Sequence, residues 1–238
     1  MRLIVLLGGC LALLTTLCVW PLAWTPLAKL KDVYQPAPRL NGTIWKGRIS
    51  GLHNIDNLNI STMPKALLRG QPPIRFSSPS PALQIKGYLG LGRLENLDAS
   101  GLLSWILPVD PRFSQMNGTY SLRLDHIGFN VLDLEAGCQS AKGEFSTDVL
   151  QKNAGLWQWS GPVLSGPISC ENGDIVSVLS GKDARQSLDV RTVMKPDGRY
   201  QAEFNIQTRD AAASALLPLY GFEPSQKGFR LNEQGRWF

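Results

Sequence analysis

The residues of this chain with the widest chemical range are two histidines and four cysteines. His126 follows Asp125 at the end of an alternating run, and His53 falls in a turn; neither has a Ser or Cys motif that would place a nucleophile beside it. The run Gly47–Gly51 reads GRISG, with its Ser one position away from a nucleophile-elbow pattern and inside an alternating stretch rather than a sharp strand-to-helix turn. GYLGLG at Gly87–Gly92 lacks the strand–loop–helix context of a dinucleotide fingerprint, and no Gly-Lys-Ser/Thr follows any Gly loop. Asp98 and Asp210 each stand before a short apolar segment, where a carboxylate serves as a helix cap. Cys138 and Cys170 have neither CxxC spacing nor a His neighbour, so a zinc site is not indicated. The expectation is a non-enzyme with no catalytic, cofactor-binding or metal residues.

The elements that carry these residues begin with a membrane segment. Leu3–Trp24 is twenty-two residues without a charge, and about twenty apolar residues span a bilayer as a helix. Trp20, Pro21 and Trp24 end it with the bulky aromatics of an interfacial belt rather than a small-x-small cleavage site. Residues 1–24 therefore read as an uncleaved anchor, and Cys10 and Cys18 as small apolar residues within it. Arg2 precedes the segment and Lys29 and Lys31 follow it, so charge counting is nearly balanced. The large region C-terminal to a short leader points to a signal anchor with that region outside the cytoplasm. Outside the cytoplasm, Cys138 and Cys170 are expected to form a disulfide, with two free buried thiols as the other reading. Residues 25–39, with Pro26, Pro36 and Pro38, form a stiff linker.

From residue 40 to 238 the dominant signal has period two. Leu83–Leu91, Thr119–Ile127 and Tyr200–Thr208 alternate apolar and polar side chains. Shorter strand-like runs cover Ile44–Ile49, Asn57–Ile60, Ile74–Phe76, Gly128–Leu134, Leu156–Ser160, Val163–Ser169, Ile175–Leu179 and Ser187–Val193. Met194–Tyr200 carries Pro196 and Asp197-Gly198 and reads as a hairpin turn. One apolar face per strand and short connections mean antiparallel pairing. The expected fold is mainly β: an N-terminal transmembrane helix, then a long antiparallel, curved sheet or partial barrel with a few short helices. Three segments with helical turns interrupt it: Ser61–Gly70, Leu97–Pro108 and Thr208–Gly221. Leu94–Gly128 and Phe204–Gly235 share a grammar of strand, Asp-Ala, small helix and strand, which suggests two related halves in one structural unit.

The net charge is +5, but the basic residues are scattered, which describes a solvated surface rather than a nucleic-acid patch. The stretch LNGTIWKGRISGL (Leu40–Leu52) reads as the first strand, with Thr43, Trp45, Gly47 and Ile49 on one face. Gly47 leaves room beside the Trp45 ring. Among seven tryptophans, some suit a membrane belt and others core packing. A sharper alternative is an apolar groove for acyl chains between a sheet face and the short helices.

Several features occur in one order: an N-terminal span, GTIWKGR (Gly42–Arg48), MPKALLRG (Met63–Gly70), the Cys138–Cys170 pair around GLWQW and SGPISC, and LLPLYGFEPSQKGFRLNEQGRW near the end. This order resembles the N-protein family of bacterial type II secretion systems over nearly the whole chain, with Gly42, Thr43, Trp45 and Gly47 as its structural motif. The resemblance implies a single-pass inner-membrane protein with a periplasmic β domain. It would support the export of folded periplasmic proteins across the outer membrane, with other secretion components as partners and no catalytic residues. The alternative is a membrane-anchored, lipid-handling module.

Overall fold

The structure, a computed structural model, describes residues 39–43, 45–52, 55–80, 83–90, 92–103, 117–129, 136–157 and 159–236. The expected anchor, most of the linker, His53, Trp105 and Trp237 lie outside them. Among the described residues no helix is long and apolar enough to cross a membrane. The chain divides after Gly90 into two compact units, both antiparallel and mainly β.

The first unit contains β1 (Arg39–Gly42), β2 (Lys46–Leu52), β3 (Ile55–Thr62), a one-turn helix α1 (Pro64–Leu67), β4 (Ile74–Pro79) and β5 (Leu83–Gly90). Each strand pairs with the next in sequence. Period-two burial puts Ile49 and Ile60 into a small core with Leu40, Leu58, Ile74 and Phe76 packed against them. Leu40–Leu52 is thus not one strand but a hairpin. Gly42 takes φ +91°, and a Cβ there would stand 2.5 Å from the Lys46 carbonyl oxygen. The turn closes when the Thr43 N–H donates to that oxygen at 3.1 Å and Lys46 N–H donates to Thr43 Oγ1 at 3.3 Å. Ser61, the first residue of the expected helical segment Ser61–Gly70, lies in β3 opposite Lys46 and Arg75. The helix opens instead on Pro64, whose fixed φ and missing N–H suit a first helical position.

The second unit runs β6 (Arg93–Leu102), β7 (Thr119–Phe129), β8 (Cys138–Thr147), α2 (Val149–Lys152), α3 (Ala154–Trp157), β9 (Leu164–Glu171), β10 (Asp174–Lys182), β11 (Gln186–Met194), β12 (Arg199–Thr208), α4 (Ala211–Leu216), a 3-10 turn (Leu217–Tyr220), β13 (Glu223–Ser225) and β14 (Gly228–Arg236). Strands follow chain order from β6 to β12, and β14 then lies between β12 and β13. β1 pairs with β2 at one end of the strand order and β13 with β14 at the other. The turn at Lys195–Gly198 is the expected hairpin: Lys195 N–H donates to Arg199 O at 2.8 Å and Gly198 takes φ +80°.

Three expectations change here. Asp98 is not a helix cap: β6 continues through it to Leu102, with Asp98 opposite Arg123. Apolar Leu97 and small Ala99 fit a buried strand face, and pairing with β7 overrides the local helical pattern. Leu156–Ser160 is not a strand, since Ala154–Trp157 is a helical turn and Trp159–Ser160 lies outside any ladder. In β7 the alternation slips at a bulge between Leu124 and His126, so the buried residues are Tyr120 and Leu124 before it and Ile127 after it. His126 stands inside the strand, opposite Glu95 and Lys142.

Asn153 fixes α2 to the start of β7. It is 2% exposed. Its Oδ1 accepts from Asn117 N–H at 2.8 Å, and its Nδ2 donates to the carbonyls of Val149 (2.7 Å) and Asn117. Beside it, Asp148 Oδ1 accepts from Thr119 N–H at 2.6 Å. Gly118 makes the close approach possible, because a Cβ there would come within 2.9 Å of Val149 Cα. Asn153→Ala removes the side-chain hydrogen bonds that the N–H and carbonyl of Asn117 make. A loss of about 2–3 kcal/mol is expected, read as a lower urea midpoint at constant slope. An unchanged midpoint would mean that water replaces the side chain without cost.

Candidate functional site

The sheet of the second unit has two unlike faces. On one, alternating residues place Leu164, Leu179, Leu188, Val190 and Ile206 together as a buried cluster. On the other, Arg191 donates to Glu171 at 2.6 Å and Arg230 pairs with Glu203 at 3.1 Å. The hydrogen bond from Arg191 holds the Glu171 carboxyl below the usual carboxylate range. The hydrogen bond from the Asn205 amide, then the charge of Arg230, does the same for Glu203. Among the described residues no group of three His, Cys, Asp or Glu could hold a metal ion.

The apolar face is covered by short pieces. Asp210 caps α4 as its sequence position suggests, with Oδ1 accepting from Ala212 N–H at 2.9 Å and Ala213 N–H at 3.2 Å. Arg185 lies 3.6 Å from the other carboxylate oxygen, largely in solvent. α4 is AAASAL, and the side chains it turns toward the sheet are the fully buried methyl group of Ala213 and the half-buried Leu216 at its end. Leu217 follows as the buried residue of the 3-10 turn. Gly221 then takes φ +85°, ends the turn and returns Phe222 to the sheet edge-on to Phe204, with centroids 6.4 Å apart.

A helix this thin does not fill the space beneath it. A cavity of about 360 Å³ remains between the sheet and its cover. Leu188, Phe204 and Ile206 form its floor, Ala213 and Leu217 one wall, and Leu150 of α2 with Trp159 another. The described lining is aliphatic or aromatic throughout. Its indole N–H is already committed: Trp159 Nε1 donates to Gln186 Oε1 at 2.6 Å. Gln186 Nε2 in turn donates to Ser160 O and, at 2.9 Å, to Asp183 Oδ2. Asp183 Oδ1 accepts from the N–H groups of Arg185 (2.8 Å) and Gln186 (3.0 Å). Desolvation opposes the Asp183 charge, but these hydrogen bonds outweigh it and lower its pKa.

The cysteines lie elsewhere in the same unit. Cys138 and Cys170 form a disulfide, with Cα atoms 5.8 Å apart. β8 and β9 are paired from Gly143–Ile168 to Thr147–Leu164, and the disulfide joins them beyond the end of that ladder. Cys138 N–H also donates to Gly173 O at 2.8 Å, and a Cβ on Gly137 would fall 2.1 Å from that same oxygen. The glycines bring the two turns into contact and the disulfide holds them.

The model of the type II secretion system protein N family matches residues 38–232. The chain belongs to that family. No curated protein and no solved structure matches it. The family match takes in both units, the hairpin of Gly42, Thr43, Trp45 and Gly47, and the disulfide. Gly47 is buried and stands opposite Gly42 across the hairpin, while Trp45 is a half-buried turn residue whose carbonyl accepts from Thr62 N–H at 2.9 Å. Of the tryptophans, Trp159 is placed at the cavity wall. Leu150, Gln186 and Ala213 were not singled out by sequence reasoning. The alanine run within Thr208–Gly221 was the available signal, since it leaves a helix too thin to fill the space over a sheet.

The disulfide closes a loop with a sequence separation of 32, worth about 3–4 kcal/mol in the chain-entropy description. Cys138→Ser with Cys170→Ser should lower the urea midpoint accordingly, and unreduced, alkylated protein should carry no label at these positions. Acid should weaken the Asp183 network. Its pKa is lower in the folded chain than the ordinary 3.8, so its contribution is complete above that value and is lost as pH falls through the lower folded value. Asp183→Asn should flatten that part of the stability–pH curve; an identical acid limb in both proteins would rule the network out as its cause.

Proposed function

We propose that this protein is a non-enzymatic component of a type II secretion system. It is anchored in the inner membrane by residues 1–24, with residues 40–238 in the periplasm. The family match over residues 38–232 carries this reading. Two physical features support its finer parts. Leu3–Trp24 has the length and composition of a membrane span. The Cys138–Cys170 disulfide suits an oxidising compartment such as the periplasm. The partners are other components of the apparatus and the inner membrane itself.

No reaction is assigned, and the role is one of assembly and support. A clean deletion tests it. Proteins destined for the medium should accumulate, folded, in the periplasm, and the full-length gene supplied in trans should restore release. Normal secretion by the deletion strain would remove the proposed role.

A further inference from the structure

We propose that the cavity of the second unit binds a single acyl chain. The first observation is its size. About 360 Å³ lies in the range of small-ligand pockets, whereas packed interiors hold few voids larger than a water molecule. The second is its chemistry. The described lining contains no charged or carboxamide side chain, and the Trp159 N–H is already donated to Gln186. A sugar, nucleotide or extended peptide would bury polar groups there without partners, at a cost of about 1–3 kcal/mol for each. An acyl chain asks for no hydrogen bonds and gains about 0.8 kcal/mol for each methylene removed from water.

A helix with its side chains is about 10–12 Å across. A chain of methylenes is narrower and threads the gap left by Ala213. At the rim, Tyr220 is half exposed and Leu219 is 78% exposed. Tyr220 both lines the cavity and reaches solvent, so the carboxyl or ester end of such a chain could meet water beside it. The chemistry stands apart from the secretion role, but one source of the chain, a bilayer lipid, rests on the anchored reading, with a free fatty acid as the other.

The test uses the full chain in vesicles of dioleoylphosphatidylcholine. One arm adds palmitic acid carrying a mid-chain diazirine; the other places the same group in one acyl chain of phosphatidylcholine within the vesicle. After illumination, adducts are mapped by peptide mass. Saturable labelling within 149–164 and 211–222, reduced at least about tenfold by excess unlabelled palmitate, is the expected result in at least one arm. Labelling by the phospholipid probe makes the bilayer the source; labelling by the free acid alone makes it a fatty acid. Ala213→Phe, which fills the cavity from the helix, should lose the label by a similar factor. Leu216→Trp, from a half-buried position on the same helix, serves if Ala213→Phe does not fold. Adducts confined to 3–24, labelling that unlabelled palmitate does not displace, or a folded filled variant labelled like the wild type would overturn the proposal. If neither variant folds, displacement in the wild-type chain decides. Secretion is not a readout here, so an empty cavity in a chain whose deletion still traps exoproteins would defeat this inference alone.

Discussion

A strand that alternates apolar and polar side chains builds a sheet with one face that water must not reach, and in residues 91–238 most other features follow from how that face is covered. A meander of consecutive antiparallel strands supplies no crossover helices. The cover must come from short pieces at the strand ends: α2 and α3 after β8, then α4 and the 3-10 turn after β12. Pieces of four to six residues are too short to be stable helices alone. Two of them are fixed by polar side chains at their ends. Asn153 and Asp148 hold α2 to β7, Asp210 caps α4, and the chain from Asp183 through Gln186 to Trp159 fixes the wall between them.

That arrangement explains why the second unit combines a dry interior surface with well-satisfied polar groups. Among the described residues no buried side-chain nitrogen or oxygen lacks a hydrogen-bond partner. Polar residues do the positioning from the edges, and the space they enclose remains apolar. A disulfide at the open end of the β8–β9 ladder adds covalent restraint where backbone pairing stops. The first unit depends on the same rule at smaller scale. Its core is Ile49 and Ile60 with four partly buried neighbours, and its one-turn helix α1 supplies little cover.

Strands were the legible part of the sequence, because period two is a direct consequence of the pleat. β5, β7, β10, β11 and β12 fall where the alternation put them. So does the turn at Lys195–Gly198, where Asp197-Gly198 specifies the geometry. Legibility failed where a tertiary partner decided between two local options. Leu97–Leu102 has helical spacing but pairs with β7. Leu156–Ser160 alternates but begins in a turn held by Asn153, whose partner Asn117 is 36 residues away. The Gly42–Gly47 stretch has strand-like alternation on both sides of a turn, and the turn is set by one backbone requirement: the Lys46 carbonyl sits where a Cβ of residue 42 would be. The groove between sheet and short helices could be anticipated in kind, but not placed. Its position depends on which short helix presents its smallest side chains to the sheet.

Ala213 joins these points. A leucine at this position would fill the space and add buried apolar area to a cover that is short of it. The alanine leaves lining atoms without partners on one side, a loss that grows by about 24 cal/mol for each Å³ left empty. Local helix preference does not account for this, since leucine propagates a helix nearly as well as alanine. Ala213 itself lines the cavity. The stability forgone at Ala213 is recovered only when something apolar enters. An occupant that binds the folded chain alone would therefore raise its stability with concentration. The cavity thus couples the cover of the sheet to the presence of a ligand: the thin helix is the weak part of the apolar face when empty, and a well-packed part when filled.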